Sequence, residues 1–171
     1  MGKLIAKKIA AVLLLILLVF CLLYSSNRLG LPASWIEQRA RSSQKIAEDW
    51  LVSDDASDSM AALIFYPEDG DDHVFSIYVN RSGVSFGYFF CGGGSLGDAL
   101  MEYTVEGISD RAFLSQNKQH VARLEIDDGS TVEVREIDPE KPFALVLPAD
   151  AGSVTFYDVD GNPVTPQAAS L

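Results

Sequence analysis

The chain has 171 residues, with 13 Lys and Arg against 24 Asp and Glu, and carries a formal charge of −11. That balance excludes a nucleic-acid binder, whose electrostatic footprint is basic, and 48% apolar residues exclude a chain too polar to bury a core. Two cysteines far apart in sequence, Cys21 and Cys91, exclude a disulfide scaffold and a cysteine-rich zinc module.

Charge is unevenly distributed. Lys3, Lys7 and Lys8 precede an apolar run, every acid follows it, and residues 25–171 carry −14. The run IAAVLLLILLVFCLLY, from Ile9 to Tyr24, holds no charge, Gly or Pro. As a helix it extends about 24 Å, and Leu4 to Ala6 with snorkelling of Lys7 and Lys8 supply the rest of a roughly 30 Å hydrocarbon core. A cleaved signal would need small residues at −3 and −1 of the cut. Cutting after Ser25 or Ala33 puts Leu23 or Leu31 at −3, and Phe20 before Cys21 argues against a lipoprotein signal. The segment therefore reads as an uncleaved signal anchor. Lysines on its N-terminal side place residues 1–8 in the cytoplasm and the acidic C-terminal part outside the cell membrane.

Residues 25–33 (SSNRLGLPA) break the helix. Residues 25–59 are expected to form a linker holding an amphipathic helix over 34–51, capped by Ser34 with Glu37 three residues on, and with Ile36, Arg39 or Ala40, Ser43, Ile46 or Ala47, and Trp50 at helical spacing. Two readings stand for it. Trp35 could rest at a lipid interface, or the helix could pack on the domain through Ile36, Ile46 and Trp50. Packing is favoured because Glu37, Glu48 and Asp49 sit badly beside anionic headgroups. The polar stretch 53–59 reads as a connector.

From Met60 to residue 165 the hydrophobic period falls to two and turn residues recur, which predicts a mainly β domain, with residues 166–171 a tail. Strands are expected at 61–66, 74–80, 84–91, 100–106, 111–117, 121–126, 131–137, 143–147 and 154–159, separated by turns such as Glu68-Asp69-Gly70-Asp71, Arg81-Ser82-Gly83, Asp127-Asp128-Gly129-Ser130 and Asp160-Gly161-Asn162. VFSIYV (74–79) and GYFFC (87–91) are apolar on both faces and are expected at a sheet centre or under the helix. Nine short strands make an antiparallel β-sandwich the economical architecture, with a closed barrel as alternative.

Several residues invite chemistry. Cys91 precedes the loop-like run Gly92-Gly93-Gly94-Ser95-Leu96-Gly97-Asp98, which lacks the Lys of a phosphate-binding P-loop. A thiolate there would need His73 or His120 as its base, while a buried, inert thiol is the simpler expectation. Asp158-Val159-Asp160-Gly161-Asn162 suggests calcium, but its Gly stands fourth and not sixth, so no EF-hand loop is present. The acids at 68, 69, 71, 72, 127 and 128 read as solvated turns, and two histidines are too few for a histidine-based zinc site. Asn80-Arg81-Ser82 matches a glycosylation acceptor in a hairpin. Wet-face charges, among them Glu102, Glu106, Arg123, Glu125, Glu133 and Arg135, suit solubility or a basic partner.

The stretches HVARLEIDDGSTVEVREID (120–138), KPFALVLPADAGSVTFYDVDGNPV (141–164) and FSIYVNRSGVSFGYFF (75–90) resemble small single-pass membrane-anchored bacterial proteins without an assigned function. The resemblance covers about two thirds of the chain. It implies an envelope location and an all-β extracytoplasmic domain, and it supplies no catalytic, cofactor-binding or metal-binding residue. The sequence thus leads to a membrane-anchored binding or protein-interaction module of the envelope, without cofactor and without nucleic acid. An envelope enzyme using Cys91 with a histidine, and an accessory subunit of a membrane complex, are the alternatives.

Overall fold

A computed structural model describes residues 2–26, 28–69, 71–81 and 86–171. Helix α1 (Gly2–Ser25) contains the apolar run, and none of its stretch Lys8–Ser25 is buried against the rest of the chain. It is long and apolar enough to cross a membrane, properties that a signal sequence shares. A 3-10 turn (Ala33–Trp35) leads into α2 (Ile36–Gln44).

The remainder is mainly β and mostly antiparallel. β1 (Leu51–Ala56), β2 (Met60–Tyr66), β3 (Val74–Asn80) and β4 (Tyr88–Gly94) form one sheet in that order. β5 (Met101–Thr104), β6 (Arg111–Ser115) and β9 (Phe143–Leu147) join β12 (Gln167–Ser170) in the order β12-β5-β6-β9, with β12 parallel to β5. β7 (Val121–Asp127), β8 (Val132–Glu136), β10 (Ser153–Asp158) and β11 (Pro163–Val164) make the third sheet, ordered β11-β10-β7-β8.

Side-chain alternation stacks these layers. On β2, Met60, Ala62 and Ile64 point into a core shared with Ala112, Leu114, Ala144 and Val146 of the second sheet. Ala61, Leu63 and Phe65, one residue out of step, meet Ile36, Ala40 and Ile46 from α2 and the turn after it. The second sheet is likewise covered on both faces: Phe113, Phe143 and Leu147 pack against Leu124, Ile126 and Phe156 of the third. Consequently the β6 and β9 sequences are apolar on both sides, whereas β7 carries Arg123 and Glu125 on its outer face.

Each of the nine expected strands has a counterpart, although residues 84 and 85 of the third lie outside the described residues, as do Gly70, Ser82 and Gly83 of the expected turns. Four expectations are corrected. The amphipathic helix is short: it ends at Gln44, where Lys45 turns into the left-handed region (φ 59°), and it starts without a side-chain cap, so Ser34 caps nothing and Glu37 pairs forward with Arg41 at 2.8 Å. Residues 51–56, expected at the helix end and in the connector, form strand β1. Its polar side chains serve the neighbouring sheet, with Ser53 Oγ and Asp55 Oδ2 accepting the N–H groups of Ala144 (3.3 Å) and Val146 (2.8 Å) at the edge of β9. GYFFC lies at a sheet edge and not at a centre; the alternative holds for Tyr88, which packs under α2 with Ile36 and Ala40, while Phe90 is 53% exposed. The tail adds β12, which pairs in parallel with β5.

Candidate functional site

The expected linker is a strap bound to the sheet. Leu29 and Leu31 form bridges with Phe86 and Tyr88 at the start of β4, through Gly30 N–H to Phe86 C=O (2.6 Å), Leu31 N–H to Tyr88 C=O (2.8 Å) and Tyr88 N–H to Leu31 C=O (2.7 Å). Two glycines allow this approach. A Cβ at Gly30 would stand 2.7 Å from the Tyr88 carbonyl oxygen, and one at Gly87, whose φ is +90°, would stand 2.5 Å from that of Leu31.

Between strap, α2 and the β3–β4 edge lies a cleft of about 440 Å³. Its walls are Leu29, Leu31, Tyr88, Phe89 and Phe90, and its polar atoms come from Arg39, Ser43, Gln44 and Tyr78. That combination of apolar wall and a few convergent polar groups is typical of ligand sites. Gln44 is fixed across the cleft by donating to the buried Ser76 hydroxyl. Burial pushes the Tyr78 phenol up from its ordinary value, against the opposing pull of the Arg39 charge and of Ser43. Phe90 stands edge-on to Tyr78 at 5.6 Å. Arg39 is exposed and makes no ion pair among the described residues.

Arg41, two residues on, is occupied. It donates to Glu37 (2.8 Å), to the carbonyls of Ala47 (3.0 Å) and Trp50 (3.1 Å), and its guanidinium lies 4.9 Å from the Phe65 ring centre. It therefore clamps the turn after α2.

The chemistry suggested by the sequence is not assembled. Cys91 lies within β4 and not before a loop, and Gly92 and Gly93 make room for neighbours. Cβ atoms there would meet Leu171 Cδ2 at 2.9 Å and the Phe75 carbonyl oxygen at 2.6 Å. Neither histidine bonds Cys91. His73 Nε2 accepts the Leu96 N–H (2.7 Å), and His120 Nδ1 is 3.3 Å from the Pro139 carbonyl oxygen and 3.4 Å from Glu140. Burial pushes the Cys91 thiol up, against the Arg81 charge, which disfavours the thiolate. Among the described residues no three His, Cys, Asp or Glu side chains converge on a metal position. The Asp158 carboxylate instead accepts the N–H groups of Asp160 (2.9 Å) and Asn162 (2.8 Å), and Asp128 those of Ser130 (2.7 Å) and Thr131 (2.8 Å). The wet-face charges largely pair with one another, as in Arg111–Glu102 (3.1 Å), Arg123–Glu125 (3.3 Å) and Arg135–Glu133 (2.6 Å).

A second cleft, about 670 Å³, opens between β1 and the β8–β9 connection; of its carboxylates, Asp55 accepts the Val146 N–H and Asp138 pairs with Lys141 (3.0 Å). Sequence reasoning missed the first cleft. The local sign was one glycine in each of Leu29-Gly30-Leu31 and Phe86-Gly87-Tyr88, the two segments that pair. No family model, curated protein or solved structure significantly matches this chain.

Proposed function

We propose that this chain is a single-pass, membrane-anchored module of the cell envelope, N-terminus in the cytoplasm, whose extracytoplasmic β domain, a sandwich extended by a third sheet, binds a partner or ligand at the α2–β4 cleft. One observation carries this reading. The cleft, with aromatic walls and convergent polar atoms, is built on a strap that begins three residues after the apolar helix ends. A flexible tether would serve a domain acting at a distance from the bilayer, whereas a hydrogen-bonded strap suits one that works beside it. To the aromatic wall the cleft adds Arg39, exposed and without an ion-pair partner among the described residues.

The test is site-specific photo-crosslinking in cells expressing the full chain, with the photoreactive residue at Phe90 and, as control, at the exposed Val134 of β8. A discrete adduct formed from Phe90 and not from Val134 supports the cleft as the binding site. Equal or absent labelling at both positions contradicts it.

A further inference from the structure

We infer that the α2 and strap face of the domain docks on the headgroup layer of the membrane that α1 enters, with Arg39 meeting an anionic lipid headgroup at the cleft mouth and Trp35, Phe86 and Phe90 seated at the interface. This rests on the proposed reading of α1 as an uncleaved anchor and deepens it by naming the ligand class.

Distance sets the first argument. The apolar stretch Lys8–Ser25 spans about 27 Å as a helix, close to the roughly 30 Å hydrocarbon core, and the headgroup layer adds about 5–8 Å on each side. From Ser25 to Arg28 the chain reaches at most about 11 Å even when extended. It is in fact drawn in, because Arg28 N–H donates to Leu23 C=O at 2.9 Å while the Arg28 carbonyl accepts the Phe86 N–H at 2.8 Å. With α1 in the bilayer, the start of β4 is held in or beside the headgroups.

Exposure is the second. Outside α1, the large exposed aromatic side chains among the described residues are Trp35 (61%), Phe86 (56%) and Phe90 (53%). Phe86 is on the bonded strap pair, Phe90 lines the cleft, and Trp35 precedes Arg39 and Ser43 at successive i,i+4 positions along the α2 flank that borders it. Tryptophan is enriched at membrane interfaces, and phenylalanine is common on the apolar face that interfacial helices bury there.

Charge is the third and chooses the ligand. Residues 25–50, the strap and α2, carry four basic and three acidic residues, a net +1, whereas residues 51–171 carry six and 21, a net −15. An anionic surface therefore repels the sheets and accepts this face, which orients the domain. Of the three acids, Glu37 is neutralised by Arg41 at 2.8 Å, and Glu48 and Asp49 stand in the turn after α2, outside the lining of the cleft, while Arg39 has no ion-pair partner among the described residues. A symmetric second copy would set this positive face against itself, without that complementarity.

The test uses full-length protein in liposomes whose acyl chains carry bromine, a contact quencher of tryptophan, made from phosphatidylcholine with or without phosphatidylglycerol. The chain has two tryptophans, so the difference between wild type and Trp35→Phe isolates Trp35 without disturbing the half-buried Trp50. Insertion of α1 is read separately from Leu17→Trp in the Trp35→Phe background. Expected is bromine quenching of Trp35 that removes up to half of the wild-type emission, increases with phosphatidylglycerol, and loses that increase in Arg39→Glu or at high salt. If the residue-17 tryptophan is quenched and Trp35 is not, the docking proposal fails while the anchor stands. If neither is quenched, the anchor reading fails and the docking falls with it. Quenching of Trp35 that ignores both phosphatidylglycerol and Arg39→Glu overturns the assignment of an anionic headgroup. Shielding of Trp35 from aqueous quencher that grows with protein density, without bromine contact, assigns the face to a second copy and overturns the lipid.

Discussion

Arg28 and Phe86 couple the apolar helix to the sheet: Arg28 N–H donates back to Leu23 in the last turn of α1, and its carbonyl accepts from Phe86 N–H at 2.8 Å. Two hydrogen bonds on one residue turn what reads in the sequence as a spacer into a joint. The geometry depends on Gly30 and Gly87, where strap and strand backbones cross without room for a Cβ.

Gly87→Ala is therefore expected to open this joint. The left-handed φ alone costs about 1–3 kcal/mol, and the added methyl would fall 2.5 Å from the Leu31 carbonyl oxygen. Loss of the Leu31–Tyr88 pairing should expose residues 28–34 to protease and lower the melting temperature. Unchanged cleavage of the strap would contradict the coupling.

The two arginines of α2 should behave oppositely. Arg41→Ala removes three hydrogen bonds and a ring contact from a side chain mostly shielded from solvent, and is expected to cost about 2 kcal/mol in chemical denaturation. Arg39→Ala, at an exposed position without an ion-pair partner, should stay within about 0.5 kcal/mol. Comparable losses from both would mean that Arg39 is part of the scaffold and unavailable for a ligand.

Acid should weaken the turns. Asp128 is held well below the ordinary carboxylate range by the N–H groups of Thr131 and Ser130, Asp138 by the Lys141 ammonium, and Asp158 by Asn162. Since each folded pKa lies below the unfolded value of about 3.9, the contribution is complete at neutral pH. It is lost progressively as pH falls below the unfolded value towards the folded one. Thermal scans should show a stable plateau near neutrality and a decline below about pH 4. Asp128→Ala should lower the plateau, and its difference from wild type should shrink in acid. A difference independent of pH would rule out the carboxylate as the cause.

Cys91 should be a slow thiol. Its partial burial and raised pKa predict alkylation by iodoacetamide slower than that of a free thiol at the same pH, and Cys91→Ser should leave the fold intact. Accelerated alkylation would revive a reactive role for this residue.

Much of the β domain was legible because alternation and Asp-Gly or Gly-Asn turns mark strands directly, as in β7 and β10. β1 was not, since Leu-Val-Ser-Asp-Asp-Ala has the composition of a connector. Ser53 and Asp55 are there to satisfy β9 main-chain donors some 91 positions away, a demand invisible in local sequence. The α2 helix was read too long because Ile46 and Trp50 continue its apolar spacing. Both do pack on the sheet, but from a turn that Arg41 clamps. Trp35, weighed as an interfacial residue, remains exposed while Ile36 and Ile46 are buried, so the helix packs and still leaves a flank free. The cleft was missed because it arises where residues 29–31 meet residues 86–90, and Gly30 and Gly87, the local signs of that crossing, do not tell which segments pair.

The most direct measurement is protease accessibility of a C-terminal tag on the full-length chain in intact cells, with the apparent mass of the membrane-bound species followed in parallel. The proposed topology requires that the tag be removed from an uncleaved, membrane-bound chain while cytoplasmic markers stay protected. A tag protected until the cells are lysed would put the acidic domain in the cytoplasm, and release of a shortened chain from the membrane would make α1 a cleaved signal; either result contradicts an anchored extracytoplasmic module.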